Sequence, residues 1–339
     1  MNVVEKIELK NFRCHSDFSL SCNRPTTLII GENGSGKTSV LEAIYLALRG
    51  KSFKGVDREI LKEGSDFFRV EVTLRDTQKI IIRYDGKNKE FEVDQKKSKR
   101  LPRKNHYPIV LFEPDDLYLV GSSPSRRRDY FDELFKQIDN NYIVALGKYN
   151  KALKQRNDLL KDEVVKPDDL FSWNVMCAHY GAELINYRKK YIENINQDLT
   201  KTYQNIAKNQ DTCRINYLGK DYDENTYMRI LDDNYERDLY FGYTSFGVHR
   251  DDYEFEFNER KADGSASRGE VRSIILALKF IEAKILKTEL SKDPVVLLDD
   301  IFSELDETRQ QHLINNFKDY QMIITSTAVP KNMTVNKQL

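Results

Sequence analysis

Long apolar runs are missing from this 339-residue chain: the longest reach only five or six residues, as in Ile274 to Leu278. A bilayer span needs roughly 18, so no segment of this chain is expected to span a membrane. The first twelve residues, MNVVEKIELKNF, place charges where a secretory peptide needs its apolar stretch, and a cytoplasmic location is expected. Cysteine is scarce. Cys14, Cys22, Cys177 and Cys213 form no C-x-x-C pair and have no histidine pattern beside them, which excludes the usual zinc sites and leaves reduced, mostly packing residues. Net charge is absent too, with 54 basic and 54 acidic residues. Nucleic-acid binding must therefore come from local patches, because the global field does not attract phosphate. What is present is a hydrophobic fraction of 40%, a globular composition for one large domain or two.

Residues 3 to 30 alternate short apolar runs with turns and read as strands, the last being Thr26 to Ile30. A period of two returns from Val70 to Val93, broken at Asp76-Thr77-Gln78 and Asp85-Gly86-Lys87-Asn88, as in antiparallel hairpins. A buried strand at 108–112 follows. From Ser123-Pro124, a cap with proline at the first turn, the spacing of Phe131, Leu134, Phe135 and Ile138 is helical, and helical spacing dominates to about Asn209. Tyr253, Phe255 and Phe257 alternate with polar residues as a strand with one wet face. The last hundred residues return to helix, strand, helix, strand. The pattern is α/β, interrupted by a helical insertion.

The strongest motif is Gly31-Glu32-Asn33-Gly34-Ser35-Gly36-Lys37-Thr38, followed by Ser39, which fits G-x-x-x-x-G-K-[ST] between a strand and an amphipathic helix. Its glycines let successive N–H groups curl into a nest for a triphosphate, with the helix N-terminus adding partial positive charge. Lys37 then reaches the β- and γ-phosphates, and the Thr38 hydroxyl binds Mg²⁺. Far downstream, Val295-Val296-Leu297-Leu298 ends in Asp299-Asp300. Carboxylates at the end of a buried strand need a cation: Asp299 would hold the metal, and Asp300 would orient or deprotonate the attacking water. The plainer alternative is that both aspartates cap the next turn. Between the two motifs, Ser267-Arg268-Gly269-Glu270-Val271-Arg272 precedes an apolar helix. It reads equally as an N-cap or as a second anion-binding tip.

The order P-loop, Ser-x-Gly turn, Asp-Asp strand resembles the ABC-type ATPases, and the details resemble the RecF family of the SMC-like group. The resemblance is carried by Leu9-Lys10-Asn11-Phe12-Arg13, the P-loop with Leu41-Glu42-Ala43-Ile44, Pro124 to Arg128 with Phe131-Asp132, Gly247 to Asp252, Ser267 to Glu270 with Leu276 to Lys279, and Leu297 to Asp306. Ile323 to Thr327 occupies the family's switch position; it lacks the histidine of many ABC ATPases, an absence shared by RecF-like and SMC-like proteins. Glu113-Pro114 stands where many ABC ATPases place a glutamine, and Val248 replaces a proline.

The resemblance implies an ABC-type (SMC-like) ATPase head with a mixed sheet, made from residues 1–121 and 239–339, and an inserted, mainly helical arm at 122–238 without a long coiled coil. It implies ATP and Mg²⁺ as cofactors, with Gly31 to Ser39 on one copy and Ser267, Gly269, Glu270 and Arg272 on its twin enclosing the nucleotide, so that ATP drives homodimer formation. Lys37 and Asp300 are the expected catalytic residues, and slow hydrolysis resets the switch. It further implies a bacterial cytoplasmic DNA-repair role. The dimer would clamp duplex DNA near gapped, single-strand/duplex junctions, with RecR as partner, and with RecO would promote RecA loading. An ABC subunit energising a membrane partner, and a nucleotide-gated structural protein, are the competing readings.

Several charged clusters stay open at this level. Lys96, Lys97, Lys99, Arg100, Arg103 and Lys104 lie in a stretch without acids, expected on a loop, and would either meet DNA phosphates or simply face water. Arg126-Arg127-Arg128 reads as intramolecular pairing or a nucleotide-side contact more readily than as a DNA contact. In His249-Arg250-Asp251-Asp252 the arginine is expected to pair with the aspartates. The acidic stretch Asp221 to Asp238 is expected as a wet face, or as a dock for a basic partner.

Overall fold

Period-two patterning builds the first sheet. In the computed structural model, which describes residues 3–22, 24–162, 164–329 and 335–339, the chain opens with β1 (Val4–Phe12), β2 (His15–Ser21) and β3 (Thr26–Ile30). There follow α1 (Lys37–Arg49), α2 (Asp57–Ile60), β4 (Phe68–Leu74), β5 (Lys79–Tyr84), β6 (Lys89–Val93), β7 (Lys96–Ser98) and β8 (Ile109–Phe112). Six of these strands form an antiparallel sheet in the order β2-β1-β4-β5-β6-β7. Register is fixed by the apolar face, with Ile7 opposite Val72 and Ile82 opposite Phe91. That face shares one core with Val40, Leu41, Ile44 and Leu48 of α1. Asp94 and Gln95, both at positive φ (50° and 64°), make the tight turn between β6 and β7.

The middle of the chain is helical: α3 (Pro124–Ile138), α4 (Asn140–Leu159) and α5 (Pro167–Ala207), then β9 (Cys213–Tyr217), α6 (Glu224–Asp233), α7 (Tyr235–Phe241), β10 (Tyr253–Phe257), β11 (Arg260–Lys261), a short α8 (Ala262–Ser265) and α9 (Arg268–Leu290). The Ser123 hydroxyl caps α3 by accepting the Arg126 N–H at 3.3 Å, with Pro124 in the first turn. Helix α5 runs 41 residues, about 60 Å. Its buried residues Leu170, Asn174, Cys177, Gly181, Leu184, Arg188, Tyr191 and Ile195 recur at alternating steps of four and three, a heptad seam that the apolar pattern alone does not reveal. Helix α4 lies antiparallel against it, since Arg156 reaches Asn174 (2.7 Å) and Arg188 reaches back to Tyr142 (3.1 Å).

Those polar seam positions are satisfied. Arg156 and Asp238, both fully buried, pair at 2.7 Å, and Arg156 also donates to the Thr244 hydroxyl at 2.7 Å. Asp238 is thus no part of a wet face, and Asp232 accepts the Asn174 amide at 2.9 Å. The edge of β9 is closed by α5, where Asn196 and Thr200 exchange hydrogen bonds with the Ile215 and Cys213 backbone (2.7–3.1 Å).

His249 sits in the same interior, between the Tyr149 hydroxyl (2.8 Å from Nδ1) and the Thr244 carbonyl (3.1 Å from Nε2). The neutral ring satisfies both, donating from Nε2 and accepting at Nδ1. Burial pushes its pKa from 6.5 down to about 4, so between those values the unfolded chain binds more protons and stability falls as pH falls. From pH 7 to pH 5 the wild type should lose about 2 kcal/mol more than His249→Gln, read as urea midpoints. Equal losses would contradict this placement.

The chain closes with β12 (Val295–Leu298), α10 (Glu307–Phe317), β13 (Gln321–Ser326) and β14 (Lys337–Gln338). These complete a parallel five-stranded sheet ordered β14-β3-β13-β12-β8. β12, paired on both edges, has all four residues buried, as a central parallel strand requires. Two compact units result, Met1–Leu117 with Glu282–Leu339, and Tyr118–Ile281. The expected return at residue 239 falls at Glu282 in this division. The cause is β10, which pairs with β9, Tyr253 opposite Tyr217, and so keeps the following segment with the helical unit. Among the described residues no helix is long and apolar enough to cross a membrane.

Candidate nucleotide site

The carboxyl ends of β3, β12 and β13 deliver the functional side chains to one edge of the parallel sheet, where open α/β sheets place ligands. Gly34 (φ 84°) and Gly36 (φ 97°) adopt left-handed backbone, which only glycine takes without strain. Gly36 has a second constraint: a Cβ there would lie 2.3 Å from Cys14 Sγ and 2.6 Å from His15 Nε2, so the β1–β2 turn braces the loop.

Lys37 is buried, donates to the carbonyls of Gly31 (2.8 Å) and Glu32 (3.0 Å), and stands 3.6 Å from Asp300 Oδ2. The Thr38 hydroxyl donates to Asp299 Oδ1 at 2.8 Å, and the Thr325 hydroxyl reaches the same oxygen at 2.8 Å. Thr325 also accepts the Asp300 N–H at 3.0 Å. Asp300 holds a left-handed backbone (φ 49°). Burial raises its carboxyl above the ordinary value, opposed by Lys37 and reinforced by Asp299. Its Oδ1 is buried without a hydrogen-bond partner. An orphaned carboxylate oxygen beside a second carboxylate is costly, and it marks a place for a hydrogen-bond donor.

The sequence-predicted P-loop, Lys37, Thr38, Asp299 and Asp300 therefore meet within the first unit. A cleft of about 410 Å³ opens over the P-loop, Lys37, Thr38 and Asp300, lined also by Arg13, Cys14, Glu59 and Leu61. The hydroxyl and carboxylate oxygens of Thr38 and Asp299 suit a hard cation such as Mg²⁺. Among the described residues no group of three His, Cys, Asp or Glu could hold a metal by itself, so phosphate oxygens and water would have to complete the shell.

Sequence reasoning missed the polar contacts that support this cleft from behind. Glu42, 1% exposed on the otherwise apolar face of α1, accepts both Arg13 Nε (2.8 Å) and Nη2 (2.7 Å). A carboxylate flanked by Leu41 and Ala43 was the available signal. Thr325 was marked only as part of the switch stretch Ile323 to Thr327, and Cys14, His15 and Lys54 carried no signal for this site.

The Ser-x-Gly turn belongs to the second unit and forms a full capping box. The Ser267 N–H donates to Glu270 Oε2 at 2.6 Å, and the Glu270 N–H donates to Ser267 Oγ at 3.3 Å. Ser267 and Arg268 are exposed, while Gly269, Glu270 and Arg272 are half-buried. The basic stretch corrects the expected loop: Lys96 and Lys97 lie on β7, an edge strand with Lys97 opposite Glu92 and 3.0 Å from Glu90. Lys99, Arg100, Arg103 and Lys104 are exposed beyond it. In the helical unit, Arg127 grips Asp252 through two bonds (2.8 and 2.7 Å), and Arg128 donates to the Asp251 carbonyl (2.8 Å). Arg250 departs from expectation and lies 5.0 Å over the Tyr243 ring, because Arg127 and the Tyr217 hydroxyl already occupy the aspartates.

A family model described as an AAA domain matches residues 6–321. The DNA replication and repair protein RecF of Clostridium acetobutylicum is 32% identical over 337 residues, covering 96% of this chain and 93% of its own. The chain belongs to the RecF family. RecF of Lachnospira eligens is likewise 32% identical, with 99% and 96% covered. Two solved RecF structures align over nearly the full length. One, described as the recombination mediator protein RecF-ATP in the RecFOR pathway, gives a TM-score of 0.87 at 31% identity, covering 98% of this chain and 93% of that one. The other, RecF-ATPrS, gives 0.86 at 32%, with 96% and 92% covered. The fold is the RecF version of the ABC-type ATPase, with the P-loop lysine and the paired aspartates brought together at one sheet edge.

Proposed function

We propose that this chain is an ATP-gated DNA clamp of recombinational repair and replication-fork maintenance. The observation that carries the reading is the convergence of Lys37, Thr38, Asp299 and Asp300 at one sheet edge, supported by the ATP-bound state of a near full-length relative. The Gly31 to Ser39 backbone cradles the triphosphate, and Lys37 gives its charge to the β- and γ-phosphates in exchange for the carbonyls it now holds. Thr38 and Asp299 hold Mg²⁺, which when bound supplies positive charge to the phosphate oxygens. Asp300 orients the attacking water and accepts its proton.

The Ser267–Gly269 tip of one copy closes on the γ-phosphate held by its twin. ATP is then part of the dimer interface, and hydrolysis loosens it by removing the group the tip touches. Hydrolysis is slow and acts as a reset. The clamped pair holds duplex DNA beside single-strand junctions, and the place of the solved relatives in the RecFOR pathway supports RecR and RecO as partners.

DNA retention tests this reading. Anisotropy of labelled gapped DNA should rise with ATP and not with ADP, and the affinity should fall with salt. Lys97→Glu combined with Arg100→Glu should weaken low-salt affinity roughly tenfold and shallow the salt slope by about two. Unchanged affinity would remove β7 and its extension from the DNA surface, and ATP-independent retention would overturn the gating.

A further inference from the structure

A second ammonium stands beside the paired aspartates. Lys54 Nζ lies 3.7 Å from Asp299 Oδ2, with the lysine side chain 40% exposed. The loop that carries it is pinned from three sides. The Ser52 hydroxyl accepts the N–H groups of Lys54 (2.9 Å) and Gly55 (3.1 Å), and donates to Glu42 Oε1 at 2.5 Å. Glu42 is in turn locked by Arg13, and the Phe53 ring packs edge-on against Tyr45 at 5.3 Å. Lys54 is thus presented to the carboxylate by a built scaffold.

The electrostatics close around four groups. Lys37 stands 3.6 Å from Asp300 Oδ2 and Lys54 stands 3.7 Å from Asp299 Oδ2, so two ammoniums neutralise two carboxylates. Asp299 Oδ1 already accepts the Thr38 and Thr325 hydroxyls, which leaves Oδ2 as the oxygen facing a cation. A divalent ion and an ammonium cannot both sit against that oxygen without strong mutual repulsion.

We propose that Lys54 is an internal cation that holds Asp299 in the nucleotide-free head and is exchanged for Mg²⁺ when the site fills, with Ser52 and Glu42 as the residues that position it. The proposal deepens the nucleotide reading above and rests on Asp299 as the metal carboxylate. It gives the empty head a bias against free metal, since the ion must first displace a tethered competitor. It also couples metal entry to release of the 52–55 loop.

The test uses the full, nucleotide-free chain and Mn²⁺ as the probe, with free ion counted by electron paramagnetic resonance. Lys54→Met removes the competitor and should lower the Mn²⁺ Kd roughly two- to fivefold, the range of a partly exposed ion pair. Ser52→Ala, which frees the loop without changing charge, should shift it the same way, whereas Lys54→Arg should stay near wild type. Asp299→Asn should raise the Kd. Should Asp299→Asn weaken Mn²⁺ binding while Lys54→Met leaves it unchanged, the exchange is overturned and the metal reading stands. Binding indifferent to Asp299→Asn would overturn both.

Discussion

Replacing Lys37 with alanine is expected to lower ATP affinity about 10- to 100-fold, the value of a charge-assisted hydrogen bond made in a shielded site, and with it to abolish nucleotide-driven pairing. Lys37 is only 3% exposed and already hydrogen-bonds the loop that would hold the phosphates, so little ordering cost accompanies binding. Its loss also leaves Asp300 without its nearer cation, which should deepen the defect. Arginine is no remedy, because a planar fork cannot fit the space of a compact ammonium between two carbonyls. Titration calorimetry with ATP on folded Lys37→Ala protein reads the effect directly. Near wild-type affinity would show that the loop binds triphosphate through its backbone alone.

Asp300→Asn is expected to do the opposite to assembly. The amide keeps the shape and a hydrogen-bonding oxygen but accepts no proton, so hydrolysis should drop about 10²- to 10⁴-fold while ATP still binds. The dimer should then persist with ATP for as long as nucleotide lasts, where the wild type decays to monomers. Because Asp300 sits beside Lys37 and Asp299 with an unpartnered oxygen, neutralising it should not harm the fold. Phosphate release at the wild-type rate would show that another group handles the water.

The meeting of the P-loop with the paired aspartates was legible in the sequence because each motif is a short local pattern. Glycines at 34 and 36 announce left-handed backbone, and an apolar strand ending in two aspartates announces a cation. The buried strand β12 was legible from its unbroken apolar run, and the antiparallel hairpins from their alternation. The helical unit was harder to read for a specific physical reason. The seam of α5 places Asn174 and Arg188 at core positions, so a heptad search over apolar residues finds gaps where the molecule has satisfied polar groups. Asp238 was hidden in an acidic run although it is the buried partner of Arg156, 82 residues away in sequence. Local spacing cannot show pairing at that distance. The unit boundary moved for the same reason, since β9–β10 pairing is non-local. The basic stretch read as a loop, and its edge position on β7 only emerges once β6 is in place, where lysines also guard an open edge.

The central claim is that two copies of this chain share their nucleotide sites. Light scattering of the full chain saturated with a nonhydrolysable ATP analogue measures this most directly. A mass twice that of the 39.8 kDa chain with the analogue, reverting with ADP or without nucleotide, is the predicted result. A single-chain mass at saturation, even at high protein concentration, would contradict the clamp.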